Sequence, residues 1–222
     1  MIATALRPLP LILLGAGGHA KVLLSLIRAC GYEMLGVCDP SLAKQGINHW
    51  RGLEVLGGDD ALERYDPDQV ELVNGIGQVV GGNLRRRVHE NAGAMGFRFP
   101  ALLHPSAWVD DTVVLEEGVQ VMAGAVLQPD VFIGCGSIVN TRAGIDHDCH
   151  VAAHVHVAPG VVLCGGVKIA EGAFVGSGST IIQGITIGES ALIGAGTVVV
   201  RDVPAQGVLI GPSPRARGVV GS

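Results

Sequence analysis

The chain has 222 residues and a formal net charge of −5, from 15 Lys and Arg against 20 Asp and Glu. Only 16% of residues are charged and 48% are hydrophobic, which excludes a disordered chain. The mildly acidic balance argues against an electrostatic nucleic-acid binder. No run of about 18 apolar residues occurs, so no membrane-spanning helix is expected.

The first hundred residues alternate strand and helix signals. Leu9 to Leu14 is a short apolar run fit for a buried strand, and the Gly-rich turn Gly15-Ala-Gly-Gly-His-Ala20 follows it. That order argues against a signal peptide. A helical stretch from Lys21 to Cys30 ends at Gly31, and Glu33 to Cys38 reads as a second strand closing at Asp39-Pro40. Leu53–Leu56, Val70–Asn74 and Phe97–Leu102 are further strand candidates, and Gly82 to Met95 reads as a surface helix. The alternation implies a small Rossmann-like parallel sheet with packed helices, an α/β domain.

From Ala107 the period changes. Every sixth residue from Val109 to Val199 is Val, Ile or Leu, sixteen positions without a break. Two residues before each stands a small or apolar residue, and three after stands a turn former at most positions. Six matches no helix and no ordinary hairpin. It fits a parallel β-helix, in which each hexad is a short strand plus a turn and three hexads close one triangular coil.

Two places carry candidate chemistry. Gly15, Gly17 and Ala20 fit G-x-G-x-x-G/A between a strand and a helix, where a backbone can approach a phosphate and a helix N-terminus favours an anion. Asp39, at the end of the next strand, is placed for a ribose hydroxyl. About 100 residues are too few for a full dinucleotide fold, and His19 and Lys21 add polar side chains at the turn. These residues, with Gly18, therefore read as a cradle for a nucleoside diphosphate. A turn needed only for packing is the competing reading. Gly75 and Gly77 follow a later strand at the same sheet edge and either line that crevice or merely end the strand.

The second place is His147-Asp-Cys-His-Val-Ala-Ala-His-Val-His156, four histidines in ten residues. His147 avoids the inward aliphatic positions and falls in a turn. A histidine there suits general-base work near neutrality, and a carboxylate, Asp148 or its competitor Asp146, can fix its tautomer. His156 lies half a coil further round the prism, so the two cannot share a corner within one chain. Cys149 takes an inward small position and reads as core. The five cysteines form no C-x-x-C pair, which fits reduced thiols and a cytoplasmic location.

With Gly15-Ala-Gly-Gly-His19-Ala-Lys21, His104-Pro105 and Asn140-Thr-Arg-Ala-Gly-Ile-Asp-His147-Asp148-Cys149, the chain from about residue 9 to 217 resembles the hexapeptide-repeat nucleotide-sugar N-acetyltransferases, of the bacillosamine and perosamine type, and the related sialic acid O-acetyltransferases. The resemblance implies a left-handed β-helix and two domains. Residues 1–104 would bind the nucleotide sugar, and residues 105–222 would form the acyltransferase domain with a C-terminal coenzyme A loop. It implies a homotrimer that uses acetyl-CoA, and no metal, to acetylate a nucleotide-linked 4-amino-4,6-dideoxy sugar. His147 would be the base and Asp148, where the family usually has Glu, its partner. Asn140 would contact substrate, and His156, Gly165, Gly178, Ala195, Gly196 and Arg215 would contact coenzyme A. The alternatives are a sialic acid-type O-acetyltransferase, a zinc carbonic anhydrase-like enzyme using His147, His150, His154 and His156, and a non-catalytic nucleotide-binding trimer.

Overall fold

The computed structural model describes residues 8–78 and 81–211. Leu11–Leu14 forms β1, and all four residues are buried, as a strand covered on both faces requires. It is followed by α1 (Gly18–Cys30), β2 (Met34–Cys38), α2 (Pro40–Lys44), β3 (His49–Trp50), β4 (Leu53–Gly57), a 3₁₀ turn (Asp59–Arg64), β5 (Glu71–Asn74) and α3 (Leu84–Ala94). The sheet order is β3-β4-β2-β1-β5, with β4, β2, β1 and β5 parallel and β3 an antiparallel edge. The chain reverses direction of travel across the sheet between β1 and β5, the place where open α/β sheets collect ligands.

Three expectations change. First, α1 begins at Gly18 rather than Lys21, so the glycine turn itself supplies the helix N-terminus. Second, α3 is not a surface helix throughout, because Arg85, His89 and Ala92 are buried against the rest of the molecule. Third, Phe97–Leu102 is not a strand of the α/β sheet. Phe97 and Phe99 plug the core beneath β5, and only Leu102–Leu103 is extended, paired with Gln120–Val121 of the β-helix. The short helix α2 was legible in Asp39-Pro40: Asp39 Oδ1 accepts from the backbone N of Ser41 and Leu42, both at 2.9 Å, and Pro40 occupies the first helical position.

The hexads form a parallel β-helix of two-residue strands on three faces. The first face carries seven strands (starting with Leu102–Leu103, Gln120–Val121, Ile138–Val139 and His156–Val157), the second six (from Trp108–Val109 to Val198–Val199) and the third five (from Val114–Leu115 to Thr186–Ile187). Partners stand eighteen residues apart, as with Val126 and Gly144, so one coil is three hexads. In each strand the second residue points inward. From Val121 to Val199 these aliphatics are at most 1% exposed, and each such burial contributes on the order of 1.5–3 kcal/mol. Val109 and Leu115, in the open first coil, are only partly covered. The α/β domain docks on the first face. There Leu102, Met122 and Ile138 join the α1 residues Leu23, Leu24, Leu26 and Ile27 in one apolar cluster.

Candidate active site

Gly15, Ala16, Gly17, Gly18 and His19 line a cavity of about 470 Å³ together with Asp39, Gly75, Ile76 and Gly77. These glycines are not alike. Gly15 has φ +85, and a Cβ there would sit 3.0 Å from Ile76 Cγ1. A Cβ on Gly75 would meet Leu13 Cδ1, Ala20 Cβ and Leu14 O at 2.8–2.9 Å. The fold itself demands those two. Gly17 and Gly18 have ordinary φ and nothing within 4 Å of an added Cβ. Neither backbone conformation nor packing requires glycine there, and the surface over the N-terminus of α1 is bare. No side chain caps this helix, and no acidic residue stands in its first turn.

Asp39 is largely occupied by the backbone, since its other oxygen, Oδ2, accepts from Ala16 N at 2.8 Å. His19 and Lys21, both read as polar side chains suited to a diphosphate, stand differently at the turn, and only His19 lines the cavity. Lys21 lies exposed, a turn into α1 and off the cavity lining. His19 Nε2 donates to Gln120 Oε1 at 2.8 Å, an orientation set by Gln120 Nε2 donating to Asn74 O at 2.9 Å. Burial and the nearby Arg85 push the His19 pKa down to about 4, so its ring is neutral.

His147 stands at the corner between the second and third faces. Its Nδ1 lies 2.6 Å from Asp148 Oδ2, and its backbone N donates to Asp146 Oδ1 at 2.8 Å. Both acidic neighbours thus act on it, Asp148 through the ring and Asp146 through the main chain. Asp148 sits at φ +59, in the left-handed region. The Asp148 hydrogen bond, then the Asp146 charge, raise the His147 pKa above its usual value. A proton on Nδ1 leaves the Nε2 lone pair free, the requirement for a general base.

Gly165 lies one coil beyond His147, and a Cβ there would stand 2.7 Å from both Cε1 and Nε2 of the ring. Its φ is not in the left-handed region, so Gly165→Ala strains no backbone but displaces the imidazole. The variant is expected to lose about tenfold or more in kcat with its melting temperature within about 2 °C of the unchanged protein; kcat near normal would show that the ring position is not critical.

Asn140 and His156 come together at the edge of the first face. Asn140 Oδ1 accepts from Thr141 N at 2.8 Å, which orients the amide so that Nδ2 donates to His156 Nε2 at 3.1 Å. The proton of His156 therefore resides on Nδ1, which is buried and has no hydrogen-bond partner among the described residues. His156 packs edge-on against Phe174, with ring centroids 5.0 Å apart. Gly178, Ala195 and Gly196 follow Asn140 down the corner between the first and second faces, whereas Gly165 belongs to the His147 corner. Arg215 falls outside the described residues. His150 stacks on Phe132 on the third face, and His154 sits at the corner between the third and first faces. The four clustered histidines thus point around the prism in different directions. No group of three side chains able to hold a metal occurs among the described residues. Burial pushes the Cys149 thiol up to about 11, so it stays protonated in the core.

Sequence reasoning missed Gln120 and Asn74, which join the α/β domain to the β-helix. The available signal was a polar residue, Gln120, in a strand that the docked domain buries. The same interface holds His89, stacked on Phe99 with ring centroids 4.1 Å apart. Burial lowers the pKa of His89 to about 4 and of His156 to about 3, alongside His19 at about 4. In the unfolded chain each titrates near 6.5. Below that value the unfolded chain binds more protons, so stability must fall as pH drops from about 6.5 towards 4 and level off once the folded histidines titrate. Urea midpoints at pH 7 and pH 4.5 check this, and equal midpoints would contradict the neutral, buried assignment.

Fold and site together define a hexapeptide-repeat transferase with an α/β domain docked on a left-handed β-helix. The family of the PglD N-terminal domain matches residues 10–92. The acetyltransferase domain of PglB from Neisseria gonorrhoeae FA1090, solved in complex with acetyl coenzyme A, is 36% identical, with a TM-score of 0.84 over 91% of this chain and 96% of that one. PerB from Caulobacter crescentus, solved in complex with CoA and GDP-perosamine, is 38% identical, with a TM-score of 0.83 over 91% and 94%. The GDP-perosamine N-acetyltransferase of Escherichia coli O157:H7 is 28% identical over 169 residues, 73% of each chain. The chain belongs to the hexapeptide-repeat nucleotide-sugar N-acetyltransferases.

Proposed function

We propose that this chain transfers the acetyl group of acetyl-CoA to the amine of a nucleotide-linked 4-amino-4,6-dideoxyhexose. The α/β domain, within residues 1–104, is the acceptor cradle, and the β-helix, which starts at Leu102–Leu103 and occupies most of residues 105–222, is the transfer domain. The observation that carries the reading is the His147–Asp148 contact of 2.6 Å, which leaves Nε2 as the available base. The amine nitrogen attacks the thioester carbonyl carbon while Nε2 removes an amine proton. The tetrahedral oxyanion collapses, the C–S bond breaks, and the CoA sulfur leaves as thiolate and takes up a proton. Asp148 stabilises the imidazolium that forms meanwhile. The buried Nδ1–H of His156 is a donor, already stripped of water, for the thioester oxygen. Gly178, Ala195 and Gly196 provide a bare path for the coenzyme arm.

Within one chain His147 and the Asn140–His156 pair stand at opposite edges of the second face. That face carries an exposed apolar stripe: Trp108 (49% exposed), Val126 (36%), Val162 (45%) and Val198 (63%). Such a stripe calls for a partner surface. If three copies bury this face around a threefold axis, one edge of each face meets the other edge of the next. His147 of one protomer then adjoins Asn140 and His156 of its neighbour. The homotrimer is thus part of the proposed site.

The cavity at the α1 N-terminus favours a nucleotide-bearing acceptor over a free sialic acid, which has no use for a phosphate cradle. The test is thiol release from acetyl-CoA with a panel of GDP- and UDP-linked 4-amino sugars. Release with at least one member supports the reading. Release only with a free sugar hydroxyl acceptor, or with none, overturns it.

A further inference from the structure

Arg85 is the second residue of α3 and only 6% exposed. Its Nη1 donates to Asn74 O at 2.7 Å and to Ile76 O at 2.8 Å, and its Nη2 donates to Gly136 O at 3.2 Å. The guanidinium thus ties the end of β5, the Gly75–Gly77 wall of the nucleotide cavity and a β-helix turn to one point. Asn74 returns the contact, with Nδ2 donating to Arg85 O at 2.9 Å. Among the described residues the ion pairs belong to Arg86 and His147, and no carboxylate pairs with Arg85. Its titratable neighbours are the histidines His19, His89, His154 and His156, whose pKa values its charge, after burial, helps to lower.

A buried cation without a carboxylate is costly, and an apolar side chain of the same volume would often serve the fold as well. Carbonyl oxygens offset part of that cost but do not neutralise the charge. The cavity wall that Arg85 grips borders the uncapped N-terminus of α1. We propose that Arg85 is a positioning residue for the acceptor, clamping the Gly75–Gly77 wall to the β-helix and providing the fixed positive charge that draws an anionic diphosphate into the cavity. The inference rests on the cavity being the nucleotide site, as proposed above. Arg85 touches no reacting atom and acts through the carbonyls of Asn74 and Ile76.

The experiment compares the full-length protein with Arg85→Gln, which retains donors for the carbonyls but loses the charge, and with Arg85→Lys, which retains the charge. GDP, UDP and CoA are titrated calorimetrically, and KM is measured for both substrates. Arg85→Gln is expected to weaken nucleoside diphosphate binding at least tenfold and to raise the acceptor KM in parallel. CoA affinity and acetyl-CoA KM should stay within about twofold. Arg85→Lys should restore diphosphate binding to within about threefold. Unchanged diphosphate binding in Arg85→Gln, or equal loss for both ligands, overturns the inference. Should Arg85→Gln not fold, Arg85→Lys decides alone: diphosphate binding within about threefold upholds the inference, and a parallel loss for CoA overturns it. Failure of the unchanged protein to bind GDP or UDP would overturn the nucleotide reading of the cavity itself, and the inference with it.

Discussion

Replacing His147 by Asn is expected to lower turnover at least about a hundredfold, the usual size of base catalysis, while leaving the assembly and its melting temperature essentially unchanged. The side chain is more than half exposed, so the fold does not depend on it. Asn keeps a polar group of similar reach but no basic nitrogen. The pH profile is a second readout. Because Asp148 and Asp146 raise the His147 pKa, the unchanged enzyme should gain activity as pH rises through a value above the ordinary 6.5 for histidine. Asp148→Asn removes the larger cause and should move that limb towards acid while lowering the maximum rate. Near-normal turnover in His147→Asn with intact assemblies would end the base assignment.

A charge placed on the second face should be as damaging by a different route. Val162 is outward-facing in the middle of that face, between Gly144 and Thr180 on neighbouring strands. Val162→Glu would bury a carboxylate against an apolar partner surface. The cost of leaving a charge unpaired there is several kcal/mol per protomer, counted three times in a threefold assembly. Light scattering should report trimers for the unchanged protein and monomers for the variant, with a folded β-helix by circular dichroism. Activity should fall by more than about a hundredfold, since each site needs two chains. Co-expression of His147→Asn with Asn140→Ala chains sharpens the point. Mixed assemblies contain some seams with both wild-type residues and should recover part of the activity lost in either parent. Full activity from Val162→Glu monomers would show that the site is complete within one chain.

Much of this was written in the residues. The sixfold aliphatic period from Val109 to Val199 determines the β-helix, because only a coil of three hexads turns every sixth side chain inward. The sequence placed two carboxylates, Asp146 and Asp148, beside His147, and only the structure shows that Asp148 meets the ring while Asp146 meets the backbone N. What the sequence left open depended on contacts between distant parts of the chain. Arg85 lay in a stretch, Gly82 to Met95, that read as a surface helix. It became a buried clamp only because α3 packs against the turn at Gly136, 51 residues away. His19 stood beside the glycine turn in the sequence, but its contact with Gln120, 101 residues on, and its pKa lowered by burial to about 4 come only from the docked domain. Phe97–Leu102 looked like the last strand of one sheet, yet only its end, Leu102, is extended, and with Leu103 it begins another. Local periodicity decides which way a side chain faces. Which distant group it meets, and so whether it stays charged, is settled only when the two domains close on each other.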